Sequence, residues 1–83
     1  MESLNDFEIA VIKAMHSRKV YGSKHIRLEK IMKSGFMPHQ YGESREAIES
    51  LLKKSLIIYA KRSKDAIQLN KEKLSEIYAV VRM

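Results

Sequence analysis

The stretch that most constrains the fold is residues 42–70, where a helical pattern of apolar side chains passes directly into a strand pattern. In residues 43–55, one helical face carries Ala47, Ile48, Leu51 and Leu52. Residues 56–60 are then rich in β-branched and aromatic side chains, 61–65 are polar and basic, and 66–70 alternate in polarity. The stretch therefore predicts a surface helix followed by a β-hairpin.

The N-terminal part of the chain predicts two more helices and a short strand. A first helix is expected over residues 6–18, because Asn5 can cap it and Glu8 stands at the capping-box position. Residues 23–27 have the pattern of a strand, and residues 28–34 that of a second helix.

The remaining segments are a connection and a terminal helix. Gly35 is expected to end the second helix at its C′ position. The connection 35–42 has three large apolar side chains, expected to pack under the helices: Phe36, Met37 and Tyr41. The last helix is expected over residues 71–82, with Asn70 as its cap.

The two terminal helices each carry more apolar side chains than one buried face would need. The faces expected to be buried are Phe7, Ala10, Val11, Ala14 and Met15 in the first helix, and Leu74, Ile77, Tyr78 and Val81 in the last. Ile9 and Ile12 lie outside the first face. Val80 and Met83 lie outside the second. We therefore expect a homodimer joined through these helices, unless the same side chains complete a small core.

Composition limits the class of protein. The 83 residues are 45% hydrophobic and include 16 Lys and Arg against 10 Asp and Glu, a net charge of +6 that favours an anionic partner such as nucleic acid. No repeat or linker divides the chain, so residues 1–83 are expected to form one domain. The absence of cysteine excludes disulfides and cysteine nucleophiles. No apolar run approaches the roughly 20 residues of a membrane span, and we expect a cytoplasmic protein.

The order helix, strand, helix, helix, strand, turn, strand, helix describes an α+β domain. The segments that carry it are LNDFEIAVIKAM, IRLEKIMKSG, SREAIESLLKKSLII and YAKRSKDAIQL. Across essentially the whole chain, this pattern resembles the winged helix-turn-helix fold, with the last segment as the wing hairpin. The terminal helix and the short chain are similar to small archaeal or viral transcription-factor-like proteins of this fold.

The resemblance implies a protein that binds duplex DNA and regulates transcription. In this family, the helix corresponding to residues 44–54 enters the major groove, and the wing contacts an adjacent groove or the backbone. By that correspondence, Arg45 is the expected base-contacting residue, helped by Gln40 and Ser44.

Positive charge is concentrated in two parts of the chain. Residues 13–33 contain seven Lys or Arg and one acid, and residues 53–64 contain five and none. The cations expected to contact DNA, mainly its phosphates, are Lys24, Arg27, Lys30, Lys53, Lys61, Arg62 and Lys64. The third helix instead carries Glu43, Glu46 and Glu49 in the half that would enter the groove. We therefore expect contact mainly with the DNA backbone.

Hypotheses of other classes remain open. The chain can instead be a protein-interaction module within a larger assembly, a use that an acidic third helix would tolerate. RNA binding is a further alternative. The spacing of His16, His25 and His39 is not that of metal ligands, and no phosphate loop or nucleophile motif is present. We expect no enzyme activity, metal, cofactor or small-molecule ligand.

Overall fold

The computed structural model describes residues 4–61, 63 and 65–82. Its helices and strands, in chain order, are α1 (Asp6–Ser17), β1 (Ile26–Arg27), α2 (Leu28–Gly35), α3 (Tyr41–Lys53), β2 (Ile57–Lys61), β3 (Ala66–Leu69) and α4 (Leu74–Val81). Short 3₁₀ turns at Pro38–Gln40 and Lys71–Lys73 precede α3 and α4. The order is the one predicted, and the α+β class is confirmed. None of these helices is both long enough and apolar enough to cross a membrane.

The three strands form one antiparallel sheet in the order β1-β3-β2. The central strand buries Ala66, Ile67 and Leu69. Ala66 pairs with Arg27 on one side and with Lys61 on the other. A bulge interrupts β2 between Tyr59 and Lys61. The predicted strand 23–27 is reduced to two residues, because its first three residues are polar and lie exposed in a loop.

The helix α1 is the element around which the others pack, since it lies against α2, α3, α4 and β3. Side chains with no exposed surface include Val11, Ile12, Met15, Ile31, Ile48, Leu51, Ile57, Ile67, Leu69 and Ile77. Full burial of a side chain of this size contributes roughly 1.5–3 kcal/mol to stability. This apolar cluster is therefore the main source of stability.

The expectation that Ile12 and Val80 lie on exposed faces is wrong. Ile12 is 0% exposed and Val80 is 1% exposed, because α1 packs against both α3 and α4 and therefore buries two faces. Tyr78, expected to be buried, is 41% exposed. Ile9 is half-buried against the core, and Met83 lies outside the described residues. The homodimer therefore remains a prediction. Ile12 and Val80 do not supply the exposed apolar surface that was expected to form its interface.

Both α1 and α3 end in a Schellman motif formed without glycine. Lys19 (φ 53°) and Ser55 (φ 62°) occupy the left-handed position that follows each helix. After α3, the Leu56 N–H donates to the Leu51 carbonyl at 3.1 Å, and the Ser55 N–H donates to the Leu52 carbonyl at 3.1 Å. The equivalent pair of hydrogen bonds closes α1.

The segment after α2 differs from the prediction at two residues. Gly35 is the last residue of α2 rather than its C′ residue, and Phe36 follows in an extended conformation. The Phe36 ring stacks on Phe7 with centroids 5.8 Å apart. Phe36 thus makes the contact with α1, and Met37, expected to be packed, is 60% exposed. The end of α2 is set by this aromatic contact and not by a glycine cap.

Glu8 joins the start of α1 to the end of α3. Its Oε1 accepts from the Asn5 N–H at 3.0 Å, while Asn5 Oδ1 accepts from the Glu8 N–H at 2.8 Å, so the predicted capping box is confirmed. Its Oε2 accepts from Lys54 Nζ at 2.9 Å and from Ser50 Oγ at 3.0 Å. Burial acts to raise the pKa of Glu8, but these hydrogen bonds and the Lys54 charge outweigh it and hold the pKa below its ordinary value.

Candidate nucleic-acid interface

Exposed cations surround two adjacent depressions formed by the end of α1, β1 and α2. We call this surface the basic face, and its cations are Arg18, Lys24, Arg27, Lys30 and Lys33. The first depression, of about 400 Å³, is lined by Arg18, Val20, Ser23, Lys24, His25, Ile26 and Lys30. The second, of about 380 Å³, is lined by Arg27, Glu29, Lys30, Lys33 and Ser34. Lys30 borders both depressions, and Glu29 is the one carboxylate among these lining residues.

The loop that carries Lys24 is attached to the central strand. The Leu69 N–H donates to the Val20 carbonyl at 2.9 Å. With its side-chain amide nitrogen turned toward the loop, Gln68 donates to the carbonyls of Gly22 (2.6 Å) and Lys24 (3.1 Å). Gly22 has a φ of 59°, which glycine adopts without strain. These contacts hold the loop, and with it the first depression, on the sheet.

Asp65, the last residue between β2 and β3, lies beside the start of α2. The Leu28 N–H, at the first residue of α2, donates to the Asp65 carbonyl at 3.0 Å. Arg27 and Lys61 pair with opposite sides of the same β3 residue, so both exposed cations stand at this end of the sheet. The other two predicted cations of the turn, which lie outside the described residues, are Arg62 and Lys64.

The structure brings together three of the cations expected to contact phosphate: Lys24, Arg27 and Lys30. It adds Arg18 and Lys33, which line the same depressions and were not singled out from the sequence. The excess of cations over residues 13–33 was the available signal, but it did not show which side chains share a surface. The density of cations in the sequence identifies a basic segment. The packing of α1 against α2 then brings its cations onto one surface, the basic face.

Two residues expected to help contact bases are engaged within the protein. The expected contact of Ser44 with DNA is wrong, because Ser44 is 0% exposed and its Oγ donates to the Tyr41 carbonyl at 3.0 Å. The helix α3 begins at Tyr41, so Ser44 lies in its first turn and faces inward. Gln40 is half-buried, and its Oε1 accepts from the Met37 N–H at 3.0 Å.

The exposed face of α3 carries three carboxylates, Glu43, Glu46 and Glu49. Arg45 Nε lies 3.7 Å from Glu49 Oε1, and both side chains are more than half exposed. Exposed ion pairs of this kind contribute about 0–1 kcal/mol, so Arg45 can leave its partner at little cost. Lys53 is exposed at the end of the same helix.

A cluster that the sequence did not indicate joins His16, Tyr21 and Tyr78. His16 Nδ1 is hydrogen-bonded to the Tyr21 hydroxyl. The His16 ring meets the rings of Tyr21 and Tyr78 edge-on, with centroids 5.9 and 5.6 Å apart. Burial raises the pKa of Tyr21, and the neighbouring Tyr78 adds to the effect. The contact between His16 and Tyr78 depends on the packing of α4 against α1, which no local sequence pattern encodes.

The three histidines lie in different settings. His16 belongs to the tyrosine cluster, His25 lines the first depression of the basic face, and His39 is exposed in the turn before α3. In the part of the chain that the structure describes, no three His, Asp or Glu side chains are grouped as the ligands of a metal ion would be.

No family model, curated protein or solved structure matches this chain. The structural features from which its function can be inferred are therefore those of the chain itself. They are a three-stranded sheet in the order β1-β3-β2, two helices packed ahead of a β-hairpin, and a basic face next to the hairpin turn. Function is inferred from these features.

Proposed function

We propose that the chain is a winged-helix domain that binds duplex DNA and regulates transcription. Three features support the fold assignment. The helices α2 and α3 follow each other against α1, β2 and β3 form a hairpin directly after α3, and β1 joins that hairpin as the third strand. The turn between β2 and β3 is then the wing. Helix-turn-helix domains bind duplex DNA, and transcription regulators are built on them.

The observation that carries the DNA-binding proposal is the basic face. Its five cations converge on two adjacent depressions in which Glu29 is the one carboxylate lining residue. Each DNA phosphate neutralised by Lys or Arg releases condensed counterions, which supplies affinity for any duplex. Serine hydroxyls are also common phosphate donors, and Ser23 lines the first depression. The net charge of +6 favours approach to a polyanion from a distance.

A salt titration with the full chain tests the proposal. Fluorescence anisotropy with a short duplex of random sequence should show binding at about 50 mM salt that weakens steeply by about 200 mM. If about five phosphates are neutralised, the slope of log K against log salt should be near −4 to −5, from about −0.9 per contact. An absence of binding at the lowest salt concentration would contradict the proposal.

A second candidate function is a protein-interaction module within a larger assembly. The observation that favours it is the exposed face of α3, where Glu43, Glu46 and Glu49 suit a basic protein surface better than DNA. The same titration separates the two functions. A chain that binds no duplex at low salt would make protein interaction the better-supported function.

A further inference from the structure

We infer that the duplex docks on the basic face, with phosphates on both sides of Lys30, and that α3 faces away from the major groove. The inference rests on the proposed function and specifies the orientation of the DNA and the class of ligand. Phosphate contacts carry no sequence information directly. The ligand is therefore duplex DNA of any sequence, not one particular site.

The helix α3 has few groups left to contact base edges. Ser44 is buried, and Gln40 uses its side-chain oxygen on the Met37 N–H. Arg45 lies 3.7 Å from Glu49, so turning Arg45 toward a base would leave the Glu49 carboxylate beside the DNA without its cation. A helix that discriminates base pairs presents donors such as Arg, Asn or Gln to the groove. The exposed face of α3 presents mainly carboxylates.

The two exposed surfaces differ in the balance of their charges. The exposed charged side chains of α3 are Glu43, Arg45, Glu46, Glu49 and Lys53. The basic face has five cations against the single carboxylate of Glu29. Like charges brought together across an interface oppose binding, and opposite charges steer the encounter. The phosphate backbone is therefore drawn to the basic face and repelled by α3.

The lining of the basic face suits the phosphates of a duplex better than unpaired bases. None of the side chains that line the two depressions is Phe, Tyr or Trp. Proteins that bind single strands stack successive bases on several aromatic rings, and among these lining residues the His25 imidazole is the single aromatic ring. Lys30 stands between the depressions, so phosphates in each of them can share its charge.

The test compares two double variants that remove equal charge from different surfaces. Lys24→Gln with Lys30→Gln alters the basic face, and Arg45→Gln with Lys53→Gln alters α3. All four side chains are exposed, so both variants should keep the fold, which circular dichroism checks. Each protein is titrated at several salt concentrations with unrelated DNA duplexes, a matching single strand and a matching RNA duplex.

The inferred orientation predicts a large difference between the two variants. The basic-face variant should bind every DNA duplex at least about tenfold more weakly, and its salt slope should be smaller by about 1.8, for two lost phosphate contacts. The α3 variant should stay within about twofold of the parent, because its two cations make no phosphate contact. The parent should bind unrelated duplexes equally well and bind the single strand and the RNA duplex more weakly.

A third variant tests the orientation by a gain of binding. Glu43→Gln with Glu46→Gln removes two carboxylates from α3. Binding within about twofold of the parent is expected if α3 faces away from the DNA, whereas a helix lying in the groove would bind about tenfold more tightly once this repulsion is removed.

Three results would overturn the inferred orientation or ligand class while the proposed function stands. They are an α3 variant that loses as much affinity as the basic-face variant, a tenfold gain in the glutamate variant, and a preference of about tenfold for one duplex sequence. Tighter binding to the single strand or to the RNA duplex would overturn the choice of duplex DNA. A parent that binds no nucleic acid at any salt concentration would overturn both the proposed function and the inference.

Discussion

Glu8 is a nearly buried carboxylate whose partners lie on two helices. Replacing it by Gln keeps the shape of the side chain but removes the negative charge that accepts hydrogen bonds from Lys54 Nζ and Ser50 Oγ at a nearly buried position. We expect the free energy of unfolding of Glu8→Gln to fall by about 1–3 kcal/mol. Chemical denaturation followed by circular dichroism measures it. Glu46→Gln, on the exposed face of α3 and beyond its first turn, is the control and should change stability by less than about 0.5 kcal/mol. Equal losses in both variants would contradict the assigned role of Glu8.

The lowered pKa of Glu8 makes the stability of the folded protein depend on pH in the acidic range. In the unfolded chain, Glu8 takes up a proton near its ordinary pKa of 4.5, whereas in the folded protein its charge persists to lower pH. The unfolded state therefore binds more protons in this window, and stability rises with pH. The contribution of Glu8 is complete above the ordinary pKa and is lost as the pH falls through the folded-state pKa. The stability difference between the parent and Glu8→Gln should shrink over that range, and a constant difference would rule this out.

At the scale of elements, the ends of α1 and α3 hold the backbone in a conformation that suits glycine. Ser55 adopts a φ of 62°, and its side chain is exposed, so Ser55→Gly removes strain without removing a packing contact. We expect the free energy of unfolding to rise by about 0.5–1 kcal/mol. Ser34→Gly, in the last turn of α2, is the control and should not raise stability, because glycine is a poor helix former and the Ser34 hydroxyl donates to the Ile31 carbonyl. Denaturant midpoints measure both, and a loss of stability in Ser55→Gly would refute the argument.

The order of the elements could be predicted because each has a local periodicity, but several of their ends could not. Lys19 and Ser55 give no glycine signal, yet both form Schellman motifs, because the residue that follows each one is buried. Gly35 was expected to be the C′ residue of α2 but is the last residue of the helix, because the contact of Phe36 with Phe7 sets the end of α2. The capping box at Glu8 depends on residues three apart and was predictable. The contacts that Glu8 makes with α3 required the packed fold.

At the scale of the whole molecule, the burial of Ile12 changes how the homodimer must be tested. A carboxylate at this position would be buried in the apolar cluster, so Ile12→Glu should lower stability by more than about 4 kcal/mol and unfold the chain at any concentration. Circular dichroism measures this loss. Tyr78→Glu, on the exposed side of α4, should stay folded. If α4 supplies the interface, the parent should sediment at twice the mass of one chain and Tyr78→Glu at the mass of one. A folded Ile12→Glu variant would contradict the described core.

The candidate site was only partly predictable, because sequence gives charge but not the surface on which it lies. Lys24, Arg27 and Lys30 were identified from the density of cations together with the winged-helix resemblance, and the structure places them on one face. The expectation for Ser44 failed, because one residue of helical rotation decides whether a side chain meets solvent or the core. Arg18 became part of the face through the packing of α1, a long-range effect that residue spacing does not encode.

The bulge between Tyr59 and Lys61 has a consequence for the protein at high concentration. Within the described residues, β2 has a neighbouring strand on one side only, and its Ile58 is partly exposed. An open strand edge of this kind is a template on which other chains can add and grow into fibres. The bulge twists the strand, and Lys61 places a charge at its end, and both features hinder such growth. The lysine beside the proposed wing is therefore also expected to protect the protein against aggregation.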